Sequence, residues 1–165
     1  MTSKLYQKMQ RRSRKWRESN DCTVKALAIA TGKTYEEAHG ALALRGRNHR
    51  KGVSMFTFWD ALADLGFTGK EVYRHSLIRI FNAVNHFLND ENEEKAKKML
   101  RTRWAKGRTM KSIEAHLPKR GVYLIETSAH VLCVRAGQIH DWTHNRKHRI
   151  THVHHITRAE VNRKK

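Results

Sequence analysis

The sequence predicts an α+β fold, helices first and strands last, without βαβ alternation. Three observations carry this reading. From Asp21 to Gly66 apolar residues recur at helical spacing, in runs that open on capping residues and close on glycine. After Gly121 the period becomes that of strands, in short runs rich in Val, Ile and Tyr separated by turn residues. The 165 residues, 39% of them apolar, suffice for one domain with a real core, assigned to 19–157.

The elements follow in order. Residues 1–18 read as a basic arm, with Lys15, Trp16 and Arg17 placed to pack on the domain or on a partner. The first helix runs from Asp21 to Thr31, with Val24, Leu27, Ala28 and Thr31 on one face. Asn20 or Asp21 caps its start and Gly32 ends it. The second starts at Thr34, with Glu37 in capping-box position, and stops at Gly46. The third starts at Ser54 and closes at Gly66. A helical insertion occupies about 73–108: "HSLIRIFNAVNHFLND" puts Leu77, Ile80, Phe81 and Val84 on one side, and "EEKAKKMLRTRWAKG" is mostly polar. "TMKSIEAHLP" opens another helix, stopped by Pro118, the only proline. The strands are "GVYLIET", "HVLCVRAG", "QIHDW" and "RITHVHHIT", followed by a basic tail at 158–165.

Charge and composition narrow the function classes. Lys and Arg number 34 against 15 Asp and Glu, a net charge of +19. Such a field attracts nucleic acid without sequence preference, or an acidic protein. No apolar run approaches the ~20 residues of a membrane span, and "MTSKLYQKMQRRSRKWRESN" lacks the apolar stretch of a secretory signal. The expected location is therefore intracellular. Two cysteines make no disulfide framework, and a reducing compartment keeps both as thiols.

Cys22 has two readings, a small core residue or a nucleophile. A cysteine in the first turn of a helix lies where unpaired N–H groups and the macrodipole stabilise a thiolate. The second reading needs a base, and His130 opens the strand "HVLCVRAG". His130, Leu132 and Val134 share one face of it, whereas Cys133 points to the other. If Ala136 and Gly137 form a two-residue turn, Arg135 pairs with Gln138, Leu132 with Asp141 and His130 with Thr143. His130 and Asp141 are then diagonal neighbours on one face, within reach of an imidazole–carboxylate hydrogen bond. His140 and Trp142 face the other way. The set supplies a thiolate to attack a carbonyl, an imidazole to handle the proton and a carboxylate to orient it.

"NDCTVKALAIATGKTYEEAH", "GFTGKEV" and "LPKRGVYLIETSAHVLCVRAGQIHDW" together resemble the small papain-like cysteine peptidase domains often encoded by tailed bacteriophages. The resemblance covers roughly Ser19–Gly69 and Thr109–Trp142. It implies the papain-like fold, with the nucleophile opening a central helix and an antiparallel sheet following. It also implies Cys22 as nucleophile, His130 as base and Asp141 as orienting residue. A host or phage protein would be the substrate, met in the host cytoplasm or on the virion. Where the family usually carries an oxyanion-hole glutamine, six residues before the cysteine, this chain has Trp16. The side chains of Asn20 or Ser19, or the Cys22 N–H, are left for that role. Trp142 is similar to the aromatic that shields the catalytic pair in papain.

Other motifs carry less. His140, His144, His148 and His152 stand four apart, but the last lies in a β-branched run, so surface or nucleic-acid-facing histidines are expected rather than a metal site. "TGKT" lacks the upstream glycine of a phosphate loop. Tyr6, Trp16 and Trp104 lie in basic segments and either stack bases or anchor those segments to the domain. No cofactor and no membrane are expected. The main expectation is a cysteine peptidase. The alternative keeps the fold as a weak or inactive scaffold that binds nucleic acid or inhibits a host protein.

Overall fold

The computed structural model describes residues 2–74, 109–114 and 117–160. Helices α1 (Lys4–Lys15), α2 (Cys22–Thr31), α3 (Tyr35–Leu44) and α4 (Met55–Asp64) precede strand β1 (Phe67–Arg74). A one-turn helix α5 (Met110–Ile113) leads into β2 (Val122–Thr127), β3 (His130–Arg135), β4 (Gln138–His140) and β5 (Ile150–Arg158). The class is α+β, and the five strands form one antiparallel sheet in the order β1-β5-β2-β3-β4.

The helix boundaries follow the capping chemistry. Thr34 closes a full capping box with Glu37, and the Ser54 hydroxyl accepts the Thr57 N–H. Gly32 ends α2 at φ 72°, a left-handed conformation that favours glycine. The packing of α2 is broader than the single face expected: every residue from Thr23 to Ala30 is buried. Small alanines let α1, α3, α4 and the sheet approach it from all sides, as befits a helix at the centre of a core.

Alternation along the strands divides the core. Leu124 and Cys133 face the helices, where they meet Leu27, Ile29, Tyr35 and Phe58. Ile125, Leu132 and Val134 face the opposite side, against Met110, Ile113 and Val153. Strand β1 was not expected. "FTGKEVYR" is an edge strand with most of its residues only partly covered, so its sequence shows little apolar alternation. Gly69 within it is required by packing: a Cβ there would lie 2.6 Å from the Trp59 ring.

The first residues are not a free arm. Ser3 caps α1, and Tyr6, Met9 and Ser13 are buried, with Met9 in the helix-side core. Burying an apolar side chain such as Met9 is worth ~1.5–3 kcal/mol, which helps hold a helix whose exposed positions are Gln7 and otherwise Lys and Arg. The Ser3 hydroxyl also donates to His140 Nδ1 at 2.7 Å, since His140 Nε2 donates to the Arg135 carbonyl. Strand β5 runs one residue into the segment read as a tail. The two helices predicted in the insertion lie outside the described residues. Among the described residues no helix is long and apolar enough to cross a membrane.

Candidate active site

Cys22 is the first residue of α2, preceded by Asp21 in N-cap position. The Asp21 carboxylate makes no capping hydrogen bond. It accepts instead from Lys25 Nζ and the Tyr35 hydroxyl, both at 2.7 Å, in a buried cluster. The first-turn N–H groups are thus left uncapped beside the thiol. Burial pushes the Cys22 thiol up. Hydrogen bonds from the His130 ring and from the backbone N–H groups of Val131 and Thr23, with the imidazolium charge, outweigh it and hold the thiol below its ordinary range.

The turn between β2 and β3 delivers His130 to this point. Its Nε2 lies 2.8 Å from Asp141 Oδ2, which leaves Nδ1 for the sulfur. Burial alone would favour the neutral ring. The hydrogen bonds to Asp141 and Cys22 and the charges of both reverse this and raise the imidazole to about 9. Asp141 is itself buried, and its Oδ2 also accepts the Thr143 N–H at 3.0 Å and the Thr143 hydroxyl at 2.7 Å. The Asp141 carboxylate is therefore held in place by Thr143 as well as by His130.

The hairpin corrects part of the expected register. Ala136 and Gly137 do form a two-residue turn, at φ 52° and 73°, and Arg135 pairs with Gln138. The ladder ends at Cys133–His140, so the pairings of Leu132 with Asp141 and of His130 with Thr143 do not form. Asp141 bonds its own backbone two residues on, which turns the chain out of the strand. It reaches His130 from that turn. The same bend places Trp142, expected to face away, against the His130 ring at 5.4 Å between centroids.

Cys22 and His130 line a cavity of about 410 Å³ together with Tyr6, Asn20, Lys25 and Trp142. Asn20 has φ 52°, a conformation that Asn tolerates, and its amide donates to the Arg50 carbonyl at 3.3 Å. Ser19 is not among the lining residues; its hydroxyl lies 3.5 Å from Arg50 Nε. Of the two side chains expected at the oxyanion position, only Asn20 reaches the cavity. Sequence reading missed Tyr6 and Lys25. Burial, and then the charges of Asp141, Asp21 and Cys22, push the Tyr6 hydroxyl up, so it stays a neutral donor. Lys25 lies 5.6 Å from the Tyr6 ring centre. The spacing of Lys25 from Cys22 puts it one turn further along α2, a signal that was present.

Gly52 also lines this cavity, and two residues before it the backbone of Arg50 is tied to Glu18. Its carboxylate accepts both Arg47 guanidinium nitrogens, at 2.9 and 3.0 Å, His39 Nε2 at 2.7 Å and the Arg50 N–H at 2.9 Å. Burial opposes the charge, but these donors hold the Glu18 carboxyl at about 2. No family model, curated protein or solved structure matches the chain.

The remaining candidates disperse. Trp16 packs on His39 and Tyr35, anchoring the end of α1. His144 pairs with Glu114, His155 stacks on Tyr123, and His148 lies edge-on to Trp142. His140 is buried rather than on the surface. Trp104 lies outside the described residues.

Proposed function

We propose that the protein is a papain-like cysteine hydrolase of the small phage type, acting as a peptidase on a host or phage protein. One observation carries the reading: a thiol that opens a buried helix lines one cavity with an imidazole that is bound to a buried carboxylate and holds the thiol below its ordinary range. The order of elements, with helices first and an antiparallel sheet last, agrees with the fold that the resemblance implies.

In the proposed reaction the Cys22 thiolate attacks a substrate carbonyl. The resulting oxyanion is met by the Cys22 N–H and the Tyr6 hydroxyl, in place of the family's glutamine. The His130 imidazolium protonates the departing amine, leaving a thioester on Cys22. Neutral His130 then takes a proton from water, which attacks the thioester and frees the acid and the thiol. Asp141 holds the tautomer and Trp142 covers the His130 ring. The test is turnover of a fluorogenic peptide library. Wild type is expected to cleave members of it, and Cys22→Ala to lose at least ~10³-fold while melting as wild type does. Equal turnover by both proteins would refute the reading.

The exposed face of α1 favours a second reading, a basic binding module. Lys8, Arg11, Arg12, Arg14 and Lys15 all face solvent, and Arg11 and Arg14 line a cavity with Tyr6 and Trp142 beside the cleft. A nucleic-acid complex that weakens steeply with salt and is unchanged in Cys22→Ala would support it. Absence of binding at low salt would dismiss it.

A further inference from the structure

The far side of the Cys22–His130 pair holds a second cavity, of about 240 Å³. Its floor and walls include Thr23, Val53, Met55, Glu126 and Val131. Among the described residues no Lys or Arg lines it, in a chain of net charge +19. The Cys22–His130 pair is neutral overall as thiolate and imidazolium, so Glu126 sets the sign of the cavity.

Among the described residues Glu126 pairs with two histidines and with no Lys or Arg. It sits on β2 opposite Val131, with its side chain 14% exposed. The groups nearest its carboxylate are His154 Nδ1 at 3.3 Å and His152 Nδ1 at 3.7 Å, on β5. Neither ring nitrogen makes a hydrogen bond, although both are buried. Burial, outweighing the attraction of Glu126 and Glu71, keeps His152 below its ordinary range, so it does not supply a standing positive charge. The buried Thr23 hydroxyl, on the same cavity wall, also lacks a partner. A buried polar atom without a partner costs ~1–3 kcal/mol, so the Thr23 hydroxyl, which lines the cavity with Glu126, calls for an occupant.

We infer that this cavity receives a cationic side chain of the substrate, arginine before lysine, next to the bond that Cys22 attacks. The guanidinium fork matches a two-oxygen carboxylate, and its further N–H groups have the Thr23 hydroxyl to meet. Val53 and Met55 are suited to cover the aliphatic stem. The inference builds on the proposed hydrolase reading by naming its substrate class, yet the binding it requires does not depend on Cys22 reacting.

The test compares Nα-acetyl-arginine methylamide with Nα-acetyl-citrulline methylamide, a neutral analogue of nearly equal shape. Each is titrated into ¹⁵N-labelled protein and followed by amide shifts. Arginine is expected to bind on the order of tenfold or more tightly, as a charge-assisted hydrogen bond would give, with shifts at Thr23, Val53 and Val131. Glu126→Gln is expected to erase the difference. Equal binding of the two amides by wild type, or a preference that survives in Glu126→Gln, overturns the inference. Turnover of Nα-acetyl-arginine aminomethylcoumarin separates the two claims. Preferred binding of arginine without turnover removes the hydrolase reading and leaves the pocket. Turnover without preferred binding removes the pocket and leaves the hydrolase.

Discussion

One cysteine opens α2 and the other packs against it, and their surroundings could hardly differ more. Cys133 sits mid-strand on β3, fully buried among the apolar residues that pack under the helix. Burial pushes its thiol up, with only a small counter-effect from Arg135. Cys22 is partly exposed at the mouth of a cavity, and its thiol is held down by an imidazole and two backbone N–H groups. Burial acts against ionisation at both sites. What separates them is the presence of donors, which the start of a helix offers and the middle of a paired strand does not.

Changes at the donors should break this contrast most. His130→Ala removes the imidazole from Cys22 and is expected to lower peptide turnover ~10³-fold or more, with thiol alkylation at pH 7 falling toward that of an ordinary cysteine. Asp141→Asn is expected to act in the same direction and less strongly on alkylation, because the imidazole remains. A stopped-flow alkylation series on the three proteins checks both.

Glu18→Gln attacks the frame around Cys22. It leaves the buried Arg47 guanidinium without its counter-charge, and the expected loss is about 3–5 kcal/mol in a denaturant melt. Acid should imitate it. A carboxyl held at about 2 against an ordinary 4.5 stabilises the fold above the higher value, and this contribution is lost as pH falls toward the lower.

The pH profile sharpens the contrast from the other side. The raised His130 contributes stability below its ordinary 6.5, and that contribution disappears as pH rises through about 9. Turnover should fall over the same alkaline range, as the imidazolium that protonates the leaving amine loses its proton. Asp141→Asn should bring that limb to lower pH. The smallest effect is expected at Cys133→Ala: roughly 1 kcal/mol of stability for a small core vacancy, with Cys22 alkylation unchanged.

Much of this was legible in the sequence, for identifiable reasons. Thr34, Glu37, Ser54 and the closing glycines mark helix ends through local hydrogen bonds, which depend on neighbours a few residues away. The turn at Ala136-Gly137 set the hairpin register for the same reason. Asp141 met His130 as expected, but by bending out of the strand through Thr143, a local competitor that alternation alone does not reveal. Lys25 was legible from its helical spacing to Cys22 on α2, but Tyr6 and Glu126 were not. The place of Tyr6 and Glu126 at the cleft depends on how α1 and β2 pack on α2, over separations that no sequence window contains. Strand β1 was hidden because an edge strand needs little apolar alternation.

The most direct measurement is the pH dependence of iodoacetamide alkylation at each cysteine of the native protein, read by peptide mass spectrometry. Cys22 is expected to react down to pH values well below the ordinary thiol range, lose that advantage in His130→Ala, and leave Cys133 unmodified until the protein unfolds. Alkylation of Cys22 that follows the titration of an ordinary thiol and is indifferent to His130 would contradict the proposed nucleophile.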